Sequence, residues 1–437
     1  MIKALILAHH FPPDNVVAAR RSYAYAIYLK KFGIEPTILT FLHEKEYISN
    51  DKWKFKIHKT GTPVKYESKP EYEVYRVPLI KTKRQRLYNV ITRNSKLKVL
   101  INMLLTPFGI YSPDILNLET RYDEFLNSHL KSTKYDVIIG VYSPSIGLKL
   151  AAKYGLKYQT PYILDFRDLW DNKIMNVAYQ PAFPKRIRNY FIKRSFSKWL
   201  ANSSFFSITS EPWRRKMAEI TKTPGHVIEN GYSHLNTTPF KTNAKFTIRS
   251  VGTIYPEQDL SIFINGYRNF LKKWKPKVLL EFIGIKNRIH PDFERLISVV
   301  PKQYVQVSGT KDQHTALKLI NNSDLLYFPA FDSIKGWCSV KLYEYLASGR
   351  PILVSPGDCD VVDEKIHKSR AGQIMNTSNE VTEFLSSAYG KWANGEDLFI
   401  DRDIKFIKHH SRENQVRNLS LEISGIFNNK INSNVQS

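Results

Sequence analysis

Cysteine is nearly missing from this chain: Cys338 and Cys359 are the two in 437 residues. Two thiols make neither a disulfide framework nor a zinc-ligand spacing, and they suit a reducing cytoplasm. No apolar run reaches the roughly 18 residues of a bilayer-spanning helix. Low-complexity tracts and short repeats are lacking as well. The opening MIKALILAHHFPP does not read as a signal peptide, because ALILA is too short for an apolar core and two histidines follow it. Acidic side chains are also scarce, 40 against 65 lysines and arginines, which leaves a formal net charge of +25. That excess calls for an anionic partner: nucleic acid, an anionic membrane face or phosphorylated substrates.

What is present is enough apolar residue for real cores, 42% of the chain, over a length that divides by default into two domains. Short apolar runs read as buried strands and alternate with helical spacing, the pattern of an α/β fold built from βαβ units. KALILA, EPTILT, EVYRVP, DVIIGVYSP, PYILDF, FFSITS and HVIENGY carry the first half. A helix from about Val16 to Lys31, ended by Gly33, joins the first two. Residues 43–72 are polar and charged and read as an insertion loop. A polar, Pro-containing stretch at 234–245 reads as a linker between a domain over 1–233 and a second over 246–405. The second half repeats the pattern in FTIRSV, KVLLEFI, residues 304–308, DLLYFP and PILVS. A final helix begins near His409, within a terminal segment over 406–437.

The densest stretch is GWCSVKLYEYLASGRPILVSP, residues 336–356. Ser339 suits an N-cap, and Gly349 with Pro351 stops the helix before the strand PILVS. Leu342 and Leu346 share the core side, while Lys341 and Glu344 share another face at i and i+3. The free amides at Ser339 and Val340, a cation and a carboxylate one turn on would fit a diphosphate bearing a ribose. An exposed Lys–Glu pair contributing about 0.2–0.5 kcal/mol is the alternative.

SVKLYEYLASGRPI resembles the nucleotide-sugar segment of family 4 glycosyltransferases, written roughly S-x-K-L-x-E-Y-L-A-x-G-K-P. The resemblance implies the GT-B architecture: two Rossmann-like domains facing across a cleft, with a C-terminal helix crossing back to the first. It implies transfer of a sugar from a nucleotide-diphospho-sugar, metal-independent and retaining, with Lys341 stabilising the leaving diphosphate and Glu344 holding the ribose. The first Glu of the family's Glu-x7-Glu pair would fall on Gly336, so that carboxylate's work must be done otherwise here. Relatives place Arg and Lys in the loop after the second domain's first strand. Here Gly252 and Thr253 open that loop, Gln258 or Asp259 follows, and Lys341 is left with more of the charge.

Two further stretches resemble the same family. HHFPPDNVVAAR is similar to its first loop, F-P-P-D-x-x-x-G-A-x-R. This puts His9, His10, Asp14, Asn15 and Arg20 on the acceptor side, with His10 a candidate base; two loop histidines bonded locally are the alternative. YILDFRDLW resembles the R-D-L-W signature of a bacterial subgroup, in which Arg167 and Asp168 face the acceptor. Structurally, Arg167 could instead pair with Asp165, and Asp168 could cap the next turn. Asp358-Cys359-Asp360 has the look of a metal-binding D-x-D, but after a strand and Pro356-Gly357 a helix cap is expected, and no metal.

Two basic stretches bear on location. Residues 79–109 interleave Lys81, Lys83, Arg84, Arg86, Arg93, Lys96 and Lys98 with large aliphatics. In residues 183–204, Ile192, Phe196, Trp199 and Leu200 fall on one helical face. Both read as surface elements for an anionic membrane; core helices with solvated basic faces are the alternative. The expectation is a cytoplasmic enzyme peripheral on the inner face of the cell membrane. Its acceptor would be a lipid-linked saccharide or oligosaccharide of surface polysaccharide synthesis. The rivals are a GT-B protein without transfer activity, a nucleotide-sugar epimerase, and a basic nucleic-acid-binding protein. No nucleic-acid motif is present to support the last.

Overall fold

The computed structural model describes residues 1–14, 16–49, 52–59, 61–80, single positions between 87 and 104, 116–142, 144–169, 185–238, 243–274, 277–285, 293–396, 398 and 402–435. The chain forms two compact units, Met1–Glu229 with Val416–Ser437, and Asn230–Gln415.

In the first unit β1 (Ile2–Leu7) leads to α1 (Val17–Tyr28) and β2 (Ile34–Phe41). An antiparallel ribbon, β3 (Lys45–Ser49) and β4 (Lys52–Phe55), precedes β5 (Lys65–Ser68) and β6 (Glu73–Val77). Then come α2 (Leu116–Ser132), β7 (Val137–Tyr142), α3 (Ile146–Tyr158) and β8 (Tyr162–Phe166). The unit closes with α4 (Lys185–Leu200), β9 (Phe205–Ile208), α5 (Glu211–Met217) and β10 (Gly225–Val227). The sheet runs β10-β9-β8-β7-β1-β2-β6-β5. Its strands are parallel except β5, which pairs antiparallel with β6. β1 and β8 are continuously apolar apart from Lys3 and Asp165, as strands covered by helices on both faces must be. Gly140 and Gly147 let α3 press on β7: a Cβ at Gly140 would lie 2.5 Å from the Gly147 carbonyl oxygen.

The second unit runs β11 (Phe246–Val251), α6 (Ser261–Trp274), β12 (Val278–Ile283), α7 (Phe293–Ser298), β13 (Val305–Ser308) and α8 (Gln313–Asn321). It continues with β14 (Leu325–Phe328), α9 (Val340–Ser348), β15 (Ile352–Val354), α10 (Val361–Ser369), β16 (Gly372–Ile374), α11 (Ser378–Ala393) and α12 (Ile404–His409). Its all-parallel sheet is ordered β13-β12-β11-β14-β15-β16. Each sheet starts in its middle and reverses direction once, at β1/β7 and at β11/β14. The carboxyl ends of the strands at such a reversal are where α/β sheets bind ligands. The last helix, α13 (Arg412–Val435), carries Val416, Leu419 and Ile423 into the core of the first unit.

Several expectations need correction. Residues 43–72 are not a plain loop but hold β3, β4 and β5. The α2 helix, which the sequence reading left unassigned, buries Leu118, Tyr122, Leu126 and Leu130. The chain divides after Glu229 and again after Gln415 rather than at 233 and 405. The supposed linker belongs to the second unit: Asn236 donates its backbone N–H to the Ala347 carbonyl (2.8 Å) and its side-chain amide to that of Ser348 (2.9 Å). The second basic stretch needs no correction: it forms α4, which buries Ile192, Phe196, Trp199 and Leu200 as their spacing predicts, with Arg194 and Lys198 exposed. The stretch 79–109 lies, apart from its first two residues and single positions, outside the described residues.

Candidate functional site

The second unit's candidate site forms where β11 and β14 end. Gly252 follows β11 at φ +105°, a conformation other residues rarely adopt, and its bare Cα lets Lys341 close in. A Cβ there would lie 3.1 Å from Lys341 Cε. Lys341 Nζ donates to the Thr253 carbonyl (3.3 Å) and stands 5.9 Å over the Phe328 ring at the end of β14. One turn on, the Tyr345 hydroxyl accepts from the Val251 backbone N–H (2.7 Å) and so pins α9 to β11. Lys341 is half-buried. Loss of hydration pushes its pKa down to about 8, against the pull of the Glu344 carboxylate. Among the described residues no carboxylate forms an ion pair with it. A lysine held this way at a helix N-terminus is set to take an anion.

Ser339 is the N-cap of α9 by backbone conformation, yet its side chain makes no capping bond. Thus Lys341, which follows Ser339 and Val340 at the start of α9, meets Gly252 and Thr253. Glu344 is placed differently: it lines a cavity of about 190 Å³ with Tyr232, His234, Asn236, Asn321 and Ser348. Gln258 is structural, bonded to the Tyr255 N–H (2.8 Å) and the Pro329 carbonyl (2.5 Å). Asp259 accepts from the Ser261 N–H (2.7 Å). Neither replaces the cations that the resemblance led one to look for.

Sequence reasoning missed the partner of Gly336. Gly336 has φ +77°, and its N–H donates to the Asp360 carboxylate. Asp360 is free to do so because Asp358 carries the capping of α10, accepting from the Val362 (3.0 Å) and Asp363 (3.1 Å) N–H groups. The signal was there in D-C-D: two carboxylates for one cap.

In the first unit the candidates form two groups. After β8, Arg167 and Asp168 pair with each other, Nη2 to Oδ2 at 2.6 Å. Asp165 takes a different partner, Arg21, through two bonds of 2.7 and 2.9 Å, with the Ser207 hydroxyl donating to it at 2.6 Å. The pairing of Arg167 with Asp165 that the sequence left open does not form. The buried arginine of the first helix is Arg21, not Arg20, which is half-buried. After β1, His10 Nδ1 lies 2.8 Å from Asp14 Oδ2, and His43 Nε2, unremarked in the sequence, lies 3.6 Å from the same oxygen. Burial, with the charges of His10 and His43, holds His9 well below the usual histidine range. Burial pushes His43 down to about 4 against the pull of Asp14. Asn15 lies outside the described residues.

No protein-family model and no curated protein matches the chain. Solved structures do. An alpha,alpha-trehalose-phosphate synthase (UDP-forming) from Burkholderia xenovorans, in complex with glucose-6-phosphate, superposes with a TM-score of 0.60 at 10% identity, over 97% of this chain and 100% of that one. WaaG, a glycosyltransferase involved in lipopolysaccharide biosynthesis, gives 0.53 at 14% identity over 96% and 98%. Anabaena Alr3699/HepE, in complex with UDP and glucose, gives 0.53 at 12% over 97% and 100%. Likeness at such low identity is a likeness of fold, and the fold of this chain is that of the GT-B glycosyltransferases.

Proposed function

We propose that this protein is a glycosyltransferase that takes a sugar from a nucleotide-diphospho-sugar. The observation that carries the reading is Lys341: a desolvated ammonium, with no carboxylate in ion-pair contact among the described residues, at the start of α9 and against Gly252. In the transfer, the bond from the anomeric carbon to the diphosphate oxygen breaks and the nucleoside diphosphate leaves with the electron pair. An acceptor hydroxyl oxygen forms the new bond and gives up its proton. Charge builds on the diphosphate, where Lys341 and the amides of Ser339 and Val340 supply stabilisation, so the step needs no metal there. The Glu344 carboxylate, in the wall of its cavity, suits ribose hydroxyls.

Arg167 and Asp168 after β8, and His10 with His9, Asp14, Asn15 and Arg20 of the first loop and helix, are assigned to the acceptor side in this reading, His10 or Asp168 receiving the proton. Retention at the anomeric carbon follows from the family resemblance, and the solved structures of similar fold include a lipopolysaccharide glycosyltransferase. The acceptor proposed is a lipid-linked saccharide, met at the inner face of the membrane. In support, Leu87, Val90, Leu97, Leu100 and Leu104 are all exposed within the basic stretch 79–109, the combination that binds an anionic leaflet.

A panel of nucleotide-diphospho-sugars, read by thermal stabilisation and then by release of nucleoside diphosphate, tests the reading. A sugar nucleotide should raise the melting temperature of the wild type and not of Lys341→Met. Equal stabilisation of both proteins contradicts the role given to Lys341.

A further inference from the structure

In the first unit three side chains of metal-ligand type converge at the ends of neighbouring strands. His10 and Asp14 follow β1 and His43 follows β2, two strands paired in register from Ile2↔Ile34 to Leu7↔Leu39. One ligand atom from each lies within 4.8 Å of the others. His10 Nδ1 is 2.8 Å from Asp14 Oδ2, and His43 Nε2 is 3.6 Å from the same oxygen. The second distance is too long for a hydrogen bond. Bonds of about 2.0–2.2 Å to one ion would set adjacent ligand atoms roughly 3–3.5 Å apart, within the spread of these separations. The Asp14 and His43 side chains are 1% exposed and that of His10 is 26% exposed, which leaves solvent access on the His10 side alone.

We propose that His10, Asp14 and His43 bind one divalent transition-metal ion of the Zn2+ class, with an open position beside His10. Two imidazole nitrogens and one carboxylate oxygen match such an ion; Mg2+ and Ca2+ prefer oxygen-only sets. The cation acting on His43, Arg76 of β6, is engaged elsewhere: its Nε donates to Glu67 (2.9 Å) and its Nη1 to the Pro12 carbonyl (2.7 Å). His9 stands edge-on to His10 with ring centroids 4.5 Å apart. An ion on His10 Nδ1 takes that lone pair and leaves Nε2 protonated, so with the metal bound the acceptor proton goes to Asp168 rather than to His10. The ligands belong to the first unit and the diphosphate grip to the second, so this inference stands whether or not the chain transfers sugar.

The test uses the full chain, stripped with EDTA and dialysed, then titrated with Zn2+ and separately with Co2+. Metal per chain and the visible absorption of bound Co2+ are read. One ion per chain is expected, with uptake weakened at least about 100-fold, the upper end of what loss of an outer-shell partner alone costs, in His43→Gln and in Asp14→Asn. Uptake should be unchanged in Cys359→Ser, which removes the exposed thiol. Circular dichroism establishes that each variant is folded; should Asp14→Asn not fold, His10→Gln takes its place. A folded wild type that retains no ion at micromolar Zn2+ overturns the proposal. So does uptake that His43→Gln and the second variant leave untouched, whether the ion then sits elsewhere or the cluster is a hydrogen-bonded one.

Discussion

Lys341 is costly to keep where it is. With its pKa lowered to about 8 from the ordinary 10.5, the folded chain binds fewer protons than the unfolded chain between those two values. Stability should therefore rise with pH across that window. Melting curves from pH 8 to 10.5 should show a rise in the wild type that Lys341→Met lacks. A bound diphosphate reverses the sign, because it needs the ammonium charged. Nucleoside diphosphate affinity should fall by up to about tenfold per pH unit above 8, and the variant should show a flatter profile in the same titration. Gly252→Ala puts a Cβ at φ +105° and 3.1 Å from Lys341 Cε. It should lose about 1–3 kcal/mol by urea denaturation and bind nucleotide more weakly. The placement of Lys341 at the start of a helix was legible because one dense stretch of sequence carries both the cap and the stop of that helix. The Asp360–Gly336 and His43–Asp14 contacts were not, since they join residues 24 and 29 positions apart through strand ends. Arg20 and Arg21 are adjacent, and the fragment of loop motif that singled out Arg20 says nothing about which one turns inward.

Among the elements, α1, β8 and β9 are locked together by Arg21, Asp165 and Ser207, all buried. Removing one charge leaves the other buried and unpaired. Arg21→Ala should thus cost about 3–5 kcal/mol in urea denaturation, and Asp165→Ala a comparable amount. The cost of the double variant should fall well short of the sum. In α13, Leu419 is fully buried in the first unit's core, so Leu419→Ala should cost about 2–5 kcal/mol in the same assay. Strands were easiest to read from the sequence where both faces are covered, because a continuous apolar run has few other uses. In β3, β4 and β5, lysines and glutamates alternate with aromatics over four or five residues, and charge masked the period of two. The α2 helix was readable in principle from Leu118, Tyr122, Leu126 and Leu130, spaced by four, but Leu116–Ser132 also carries charged and polar residues throughout.

For the whole molecule, the net charge of +25 and the exposed leucines of 79–109 lead to one expectation. Binding to vesicles should require anionic lipid and weaken as salt rises, since screening shortens to about 8 Å at physiological ionic strength. Equal sedimentation with neutral vesicles would remove the basic stretch from the account, and tighter binding to DNA at matched salt would favour a nucleic-acid partner. The α/β class and the GT-B likeness were readable from alternating strands and helices together with one dense motif. The unit boundaries were not, because residues 234–245 look like a linker in composition yet bond to the helix end at Ala347 and Ser348.

The most direct measurement is calorimetric titration of a nucleoside diphosphate into the full chain and into Lys341→Met at pH 7. The account predicts one site per chain, bound at least about tenfold more weakly by a variant that remains folded, a difference of roughly 1.4 kcal/mol or more. Equal affinity in the two proteins, or no binding by the wild type at millimolar ligand, would contradict it.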